Sequence, residues 1–348
     1  MIRLPFNSTG PIGVDIGSRS IKMVQFTADR QQLFEYANYD LPGGGAESVP
    51  TGESLQAALK QCMEGRRFRG KDAIVCVGRR DLFLQNIRIP KNETKPLELL
   101  VQQEAAGRIP YSVTDAEIRH FATCDVRQGD VAAQEVVVMA CHRPTLELRL
   151  EAIEASGLRP LAVDVEPAAI LRSYCNQYRR ESDITDRVLY VHIGNTTTVV
   201  VIAEGEKILF IKYLDLGGRQ FDEAVEKRLD MSSQQAADLR KHNGDRRRTQ
   251  QDPEIARSLA EATRPIVEKL LAEMSMCIRY HSVTFRGKPL VRLVLSGGEA
   301  NDQLADVLTK RLSLDAELGD PLRAYDETQQ ITRRGIWDVA AGLALRET

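Results

Sequence analysis

At 348 residues the chain has room for about two domains, each with its own core. A net charge of −2, with 43% hydrophobic and 28% charged residues, gives no basis for nucleic-acid binding or for a polybasic membrane surface. Six scattered cysteines (Cys62, Cys76, Cys124, Cys141, Cys175, Cys277) form no Cys-x-x-Cys pair, and no apolar run nears the ~18 residues of a membrane-crossing helix. Residues 1–10 are too short and too polar for a signal peptide, so a cytosolic protein with reduced thiols and no direct membrane insertion is expected.

Residues 12–41 predict a three-stranded meander, with strands ending at Ile16, over Ser20–Thr27 and over Leu33–Leu41. Its first turn carries Asp15-Ile16-Gly17-Ser18-Arg19-Ser20-Ile21-Lys22. Gly17 lets the backbone turn sharply, and Ser18, Arg19 and Ser20 supply amides and hydroxyls of the kind that wrap a phosphate. Asp15 at the strand end is unfavourable beside a phosphate unless a cation lies between, which suggests Mg²⁺ held through water. Lys22 is either an exposed strand lysine or a phosphate contact. After a glycine-rich surface loop at Gly43-Gly44-Gly45 come a helix at about Gly52–Gly65, a buried strand Ala73–Val77 and a strand Phe83–Ile89 stopped by Pro90.

From about Lys91 the pattern becomes helix (93–108), two strands (116–126, 134–142) and helix (143–156, ended by Gly157), a small α+β unit inserted into the first domain. The main sheet resumes at Leu158–Val165. Glu166-Pro167 opens a helix expected to reach about Arg180, where proline at a first turn and an acid near the positive end of the helix dipole are both favourable. Glu166 is either that ordinary helix acid or a residue orienting water for attack on a γ-phosphate.

A second meander follows, over 188–193, 196–203 and 207–214, and its first turn repeats the pattern as Val191-His192-Ile193-Gly194-Asn195-Thr196-Thr197. Two such turns half a chain apart point to duplicated domains facing one ligand. His192 stands where the repeat places a counterpart of Asp15, and imidazole is a poor ligand for hard Mg²⁺. Gly217-Gly218 precedes a mostly helical stretch to about Ser282, expected to kink or restart at Pro265, with Arg246, Arg247 and Arg248 in a solvated charged turn. Strand 290–295 ends in Ser296-Gly297-Gly298-Glu299, where missing Cβ atoms would let the backbone approach a purine and ribose. Asn301 is a candidate N-cap. The last helix, 335–346, presents Ala340, Ala341, Gly342 and Ala344, small enough for close packing as a hinge between domains.

These motifs resemble those of the type IV pilus assembly protein PilM family, relatives of the division protein FtsA among the actin-like ATPases. The resemblance covers essentially the whole chain and implies an α/β, actin-like (ribonuclease H-like) fold with duplicated domains and an inserted α+β subdomain. It sets a first lobe at 1–90 plus 158–185, an inserted subdomain at 91–157, a second lobe at 186–217 plus 287–334, a helical subdomain at 218–286 and a hinge helix at 335–348. By position, Asp15 would serve hydrated Mg²⁺, Ser18 and Lys22 the phosphates, and Gly297 and Gly298 the adenosine; Gly17, Arg19, Ser20, Gly194, Asn195, Thr196, Gly217, Gly218 and Glu299 complete the implied ATP-binding set. Glu166 takes the place of the water-positioning residue. The family has Asp where this chain has His192, so weak or absent hydrolysis is expected. The implied partners are the cytoplasmic N-terminal peptide of a PilN-like inner-membrane protein and, through it, the pilus alignment complex and motor; self-association is also allowed. The location implied is cytoplasmic, peripheral to the inner membrane through partners. An active ATPase or small-molecule kinase of the superfamily and an FtsA-like filament-forming division protein are the alternatives; the first lacks a convincing catalytic Asp beside a substrate pocket, and the second a terminal amphipathic helix.

Overall fold

Ile12, Val14 and Ile16 alternate along one face of a strand, and all three are buried. The computed structural model describes residues 9–42, 49–91, 95–128, 131–177, 180–245, 250–285, 287–325, 331 and 333–347. The Gly43-Gly44-Gly45 loop and Arg246, Arg247 and Arg248 lie outside the described residues. Strand β1 (Thr9–Ile16) pairs antiparallel with β2 (Ser20–Thr27), which pairs with β3 (Leu33–Asp40). Helix α1 (Gly52–Met63) buries Leu55, Ala58, Leu59 and Cys62, a stripe at helical spacing that covers this meander. Strand β4 (Asp72–Val77) then lies parallel to β1.

The next strand, β5 (Leu82–Pro90), leaves this sheet. It was expected to complete the first lobe, yet every residue from Leu82 to Pro90 pairs instead with β7 (Val131–His142), which also pairs with β6 (Ala116–Gln128). The reason is its apolar face: Ile87 and Ile89 bury against Val101 and Ala105 of α2 (Leu97–Ala106) rather than against the first sheet. After α3 (Arg143–Ala155), β8 (Arg159–Val165) returns beside β4, giving the first sheet the order β3-β2-β1-β4-β8. Helix α4 (Glu166–Cys175) is shorter than expected. The side chains of Asn176 and Gln177 turn aside to bond the Tyr325 hydroxyl at 2.6 Å and the Asp320 carbonyl at 2.8 Å, and a separate turn, α5 (Glu181–Thr185), follows.

The second half repeats the topology. Strands β9 (Arg187–Ile193), β10 (Thr198–Glu204) and β11 (Lys207–Leu214) form the antiparallel meander. Helices α6 (Gly218–Leu229), α7 (Ser233–Asp245) and α8 (Pro253–Thr284) intervene before β12 (Leu290–Gly297), α9 (Asp302–Leu312) and β13 (Ala316–Leu318). The order β11-β10-β9-β12-β13 mirrors the first sheet position for position. Helix α8 runs as one helix through Pro265 and does not restart there. Pro265 and Glu261 are both exposed, so the carbonyl that proline leaves without an amide faces water. Asn301 does cap α9, accepting from the Leu304 amide at 2.9 Å.

The chain closes with a short 3-10 turn at Arg334–Trp337 and α10 (Asp338–Ala344), every residue of which is buried. Two glycines make that possible. A Cβ on Gly342 would overlap the Ala169 carbonyl of α4, and one on Gly13 would overlap the Ala340 carbonyl. Val339 and Leu343 join Ile74 and Cys76 of the first sheet and Val188, Tyr190 and Val201 of the second in one core, so α4 and α10 lie between the two sheets. Among the described residues no helix is long and apolar enough to cross a membrane.

Candidate functional site

Duplicate turns in duplicate sheets should have matching hydrogen bonds, and they do. The Gly17 amide donates to the Ser20 carbonyl at 3.0 Å, and the Gly194 amide to the Thr197 carbonyl at 2.9 Å. The turn tips meet: Asn195 Nδ2 donates to Ser18 Oγ at 3.0 Å. Between the halves opens a cleft of about 1490 Å³, lined by Asp15, Gly17, Ser18, Arg19, Ser20, Lys22, Glu166, Gly194, Asn195, Thr196, Gly297, Gly298 and Glu299.

Gly217 and Gly218, which the resemblance counts in the ATP-binding set, stand behind the second turn. The Gly218 amide donates to the Gly194 carbonyl at 2.9 Å, and a Cβ on Gly217 would lie 2.6 Å from the Asn195 carbonyl oxygen. Their smallness lets α6 brace the turn. Gly297 lines the cleft. Its φ of +91° and the overlap a Cβ would make with the Ile193 carbonyl show a glycine required by the β9–β12 approach. Only Gly298 has open space where a Cβ would go.

The charges are paired across short distances. Asp15 and Lys22 are opposite residues in the β1–β2 register, and Lys22 Nζ lies 2.9 Å from Asp15 Oδ2. Burial opposes the Lys22 charge, but Asp15, with Asp338 and Glu166 behind it, carries its pKa above the usual value. Glu166 sits at the first turn of α4, with Gly78 leaving it room and the Tyr213 hydroxyl donating to it at 2.9 Å. Burial first, and then the Asp15 charge, push its pKa up to about 7 against the opposing pull of His192 and Tyr213.

His192 Nδ1 lies 2.8 Å from Asp338 Oδ2, and Ser296 Oγ donates to the same oxygen at 2.6 Å. Asp338 is the first residue of α10 and wholly buried. Burial disfavours the imidazolium, yet the Asp338 charge and hydrogen bond, with Glu166 and Asp15 beyond, raise the His192 pKa. At the other end of the cleft Arg240 of α7 bridges Asp222 of α6 and Glu299, over the Phe221 ring at 5.1 Å. Arg19, from the first turn, reaches Asp222 at 3.4 Å. Burial, followed by attraction to Arg240, repulsion from Glu299 and attraction to Arg19, leaves the Asp222 pKa raised.

Asp338, Tyr213, Asp222 and Arg240 were not singled out from sequence. Asp338 did carry a signal, an acid opening an otherwise Ala/Gly/Val/Leu helix. Arg240 carried none, lying in a helix rich in polar residues.

Two five-stranded sheets of identical order, twin turns and a cleft between them define the actin-like class of α/β proteins. The family model described as type IV pilus assembly protein PilM matches residues 13–348, and the chain belongs to that family. A solved PilM-PilN type IV pilus biogenesis complex is similar at 24% identity and a TM-score of 0.79, over 97% of this chain and 98% of that one. The ethanolamine utilization protein EutJ from Carboxydothermus hydrogenoformans is similar at 14% identity and a TM-score of 0.57, over 98% and 90%. MreB 5 of Spiroplasma citri, solved bound to AMPPNP, is similar at 11% identity and a TM-score of 0.50, over 97% and 95%.

Proposed function

We propose that the chain is an ATP-binding scaffold of a type IV pilus, or related secretion, assembly complex at the cytoplasmic face of the inner membrane. The observation that carries the nucleotide reading is the meeting of two matched turns across one cleft, with Ser18 and Asn195 in contact at 3.0 Å. Amides and hydroxyls of 17–20 and 194–196, with Lys22, suit an anionic phosphate chain, and the open face of Gly298 suits the adenosine.

The Mg²⁺ expected at Asp15 fits less well. Magnesium wants oxygen ligands and one or two free carboxylates, whereas Asp15 is ion-paired to Lys22 at 2.9 Å. Glu166, at about 7, shares its proton with solvent near neutrality. Lys22 thus engages the carboxylate that would face a hydrated cation, and the donor set fits a nucleotide better than a resident metal.

The partner is the cytoplasmic N-terminal peptide of a PilN-like protein, docked at the β5-β7-β6 unit and linking the alignment complex to the motor. Family membership and the PilN in the similar complex support this reading. Hydrolysis is slow or absent, because His192 replaces the acid and Glu166 is held by Tyr213.

Titration calorimetry with ATP tests the nucleotide half. The wild type binds, and Lys22→Ala weakens binding about tenfold or more, as for loss of a close charge pair. No heat from the wild type at millimolar ATP would leave only the partner role.

A further inference from the structure

The phosphate end of the cleft holds two basic side chains, Lys22 and His192. The Nδ1 edge of His192 is fixed by Asp338 at 2.8 Å, and Ser296 fixes the carboxylate in turn. Asp338 is wholly enclosed, while 13% of the imidazole surface remains open to the cleft. With Nδ1 committed to Asp338, Nε2 is the edge left on the side of the Gly194 turn, 3.9 Å from where a Gly194 Cβ would stand. The groups facing this ring are Asp338 from α10, Ser296 from β12, Glu166 from α4 and Asp15 from β1. Three of the four are acidic, and Asp15 is already neutralised by Lys22. Ser296 and the Val339 amide also donate to Asp338 at 2.6 and 2.8 Å, so the carboxylate is held as an acceptor, and its charge beside Nδ1 favours the imidazolium.

Resting on the nucleotide reading, we infer that His192 and Lys22 together stand in for the divalent metal, so that this cleft binds a nucleoside triphosphate without needing Mg²⁺. The imidazolium is a donor aimed at the turn where phosphate oxygens would lie, and its charge stays fixed by Asp338. The arrangement also ties the phosphate end directly to the hinge helix, since Asp338 opens α10.

The experiment is ATP titration of the intact protein in excess Mg²⁺ and in excess EDTA, followed by calorimetry and by emission of Trp337. That residue is the chain's single tryptophan, and it precedes Asp338 and lines the cleft. The expected wild-type affinities differ by less than about threefold between the two conditions, because close organic charge pairs carry the binding. His192→Gln weakens binding in EDTA about tenfold. His192→Asp reverses the pattern, binding about tenfold more tightly with Mg²⁺ than without, as two neighbouring carboxylates now call for a metal. If His192→Gln fails to fold, Asp338→Asn keeps the hydrogen bond and removes the charge that holds the imidazolium, and gives the same loss in EDTA.

Wild-type binding that requires Mg²⁺, or a His192→Gln protein with unchanged affinity in EDTA, overturns the inference and leaves the nucleotide reading standing. Wild-type binding in neither condition overturns the nucleotide reading itself, and the inference with it.

Discussion

Glu166 and the pair Gly297-Gly298 show how much a single position can be asked to do. Glu166 titrates near 7 in the folded protein against an ordinary 4.5. Between those values the native state keeps a proton that the unfolded chain has released, so stability falls as pH rises from 4.5 to 7. Glu166→Gln removes that loss and still accepts from Tyr213. Its melting temperature is expected to exceed the wild type's above pH 7, with the gap closing toward pH 4.5; a constant gap would mean the carboxyl is ionised throughout. The two glycines part company by geometry. Gly297→Ala forces a side chain onto the Ile193 carbonyl at a φ of +91° and should cost about 2–4 kcal/mol in denaturant unfolding. Gly298→Ala meets nothing within 4 Å, so it should stay within ~0.5 kcal/mol of wild type while lowering ATP affinity through lost access. Sequence made the pair look alike, since Ser-Gly-Gly-Glu names residue types and not φ angles.

Elements were legible where their pattern is local. The apolar residues Ile12, Val14 and Ile16 and the Gly turns of both meanders placed the two sheets directly. Pairing was less legible, because β5 reads as a strand without saying which sheet will take it, and only the burial of Ile87 and Ile89 under α2 decides that. Pro265 misled because a long helix can carry an interior proline where the carbonyl left without an amide lies on an exposed face. The small-residue face of α10 was the clearest element-scale signal, and it makes a test. Gly342→Ala would press a methyl onto the Ala169 carbonyl and pry α10 from α4. It is expected to cost about 2–4 kcal/mol and to shift the emission of neighbouring Trp337. Gly107→Ala, at a helix end with nothing within 4 Å, should lie within ~0.5 kcal/mol of wild type with unchanged emission. Equal effects from both would mean α10 does not carry the packing.

Across the whole molecule, the two halves are joined in two different ways. Beneath the cleft, α4 and α10 share one apolar core with both sheets. At its mouth the contacts are polar and separable: Ser18 to Asn195 at 3.0 Å, Arg19 to Asp222 at 3.4 Å, and an exposed Arg79 to Asp215 pair at 3.8 Å. The exposed Arg79–Asp215 pair contributes at most about 1 kcal/mol, and the other two are single polar contacts, so the mouth can open while the base holds. A ligand biases that opening only by binding one setting better than the other. An ATP that bridged both turns, as proposed, would do so, and at a hundredfold excess over its dissociation constant would add about 2.7 kcal/mol of stability. The expected signature is amide hydrogen exchange that slows together at residues 17–20 and 194–197 when ATP is added, with little change in α10, which is already buried. Protection confined to one turn would show a ligand resting on one half alone, and the cleft would then not transmit nucleotide state to a partner.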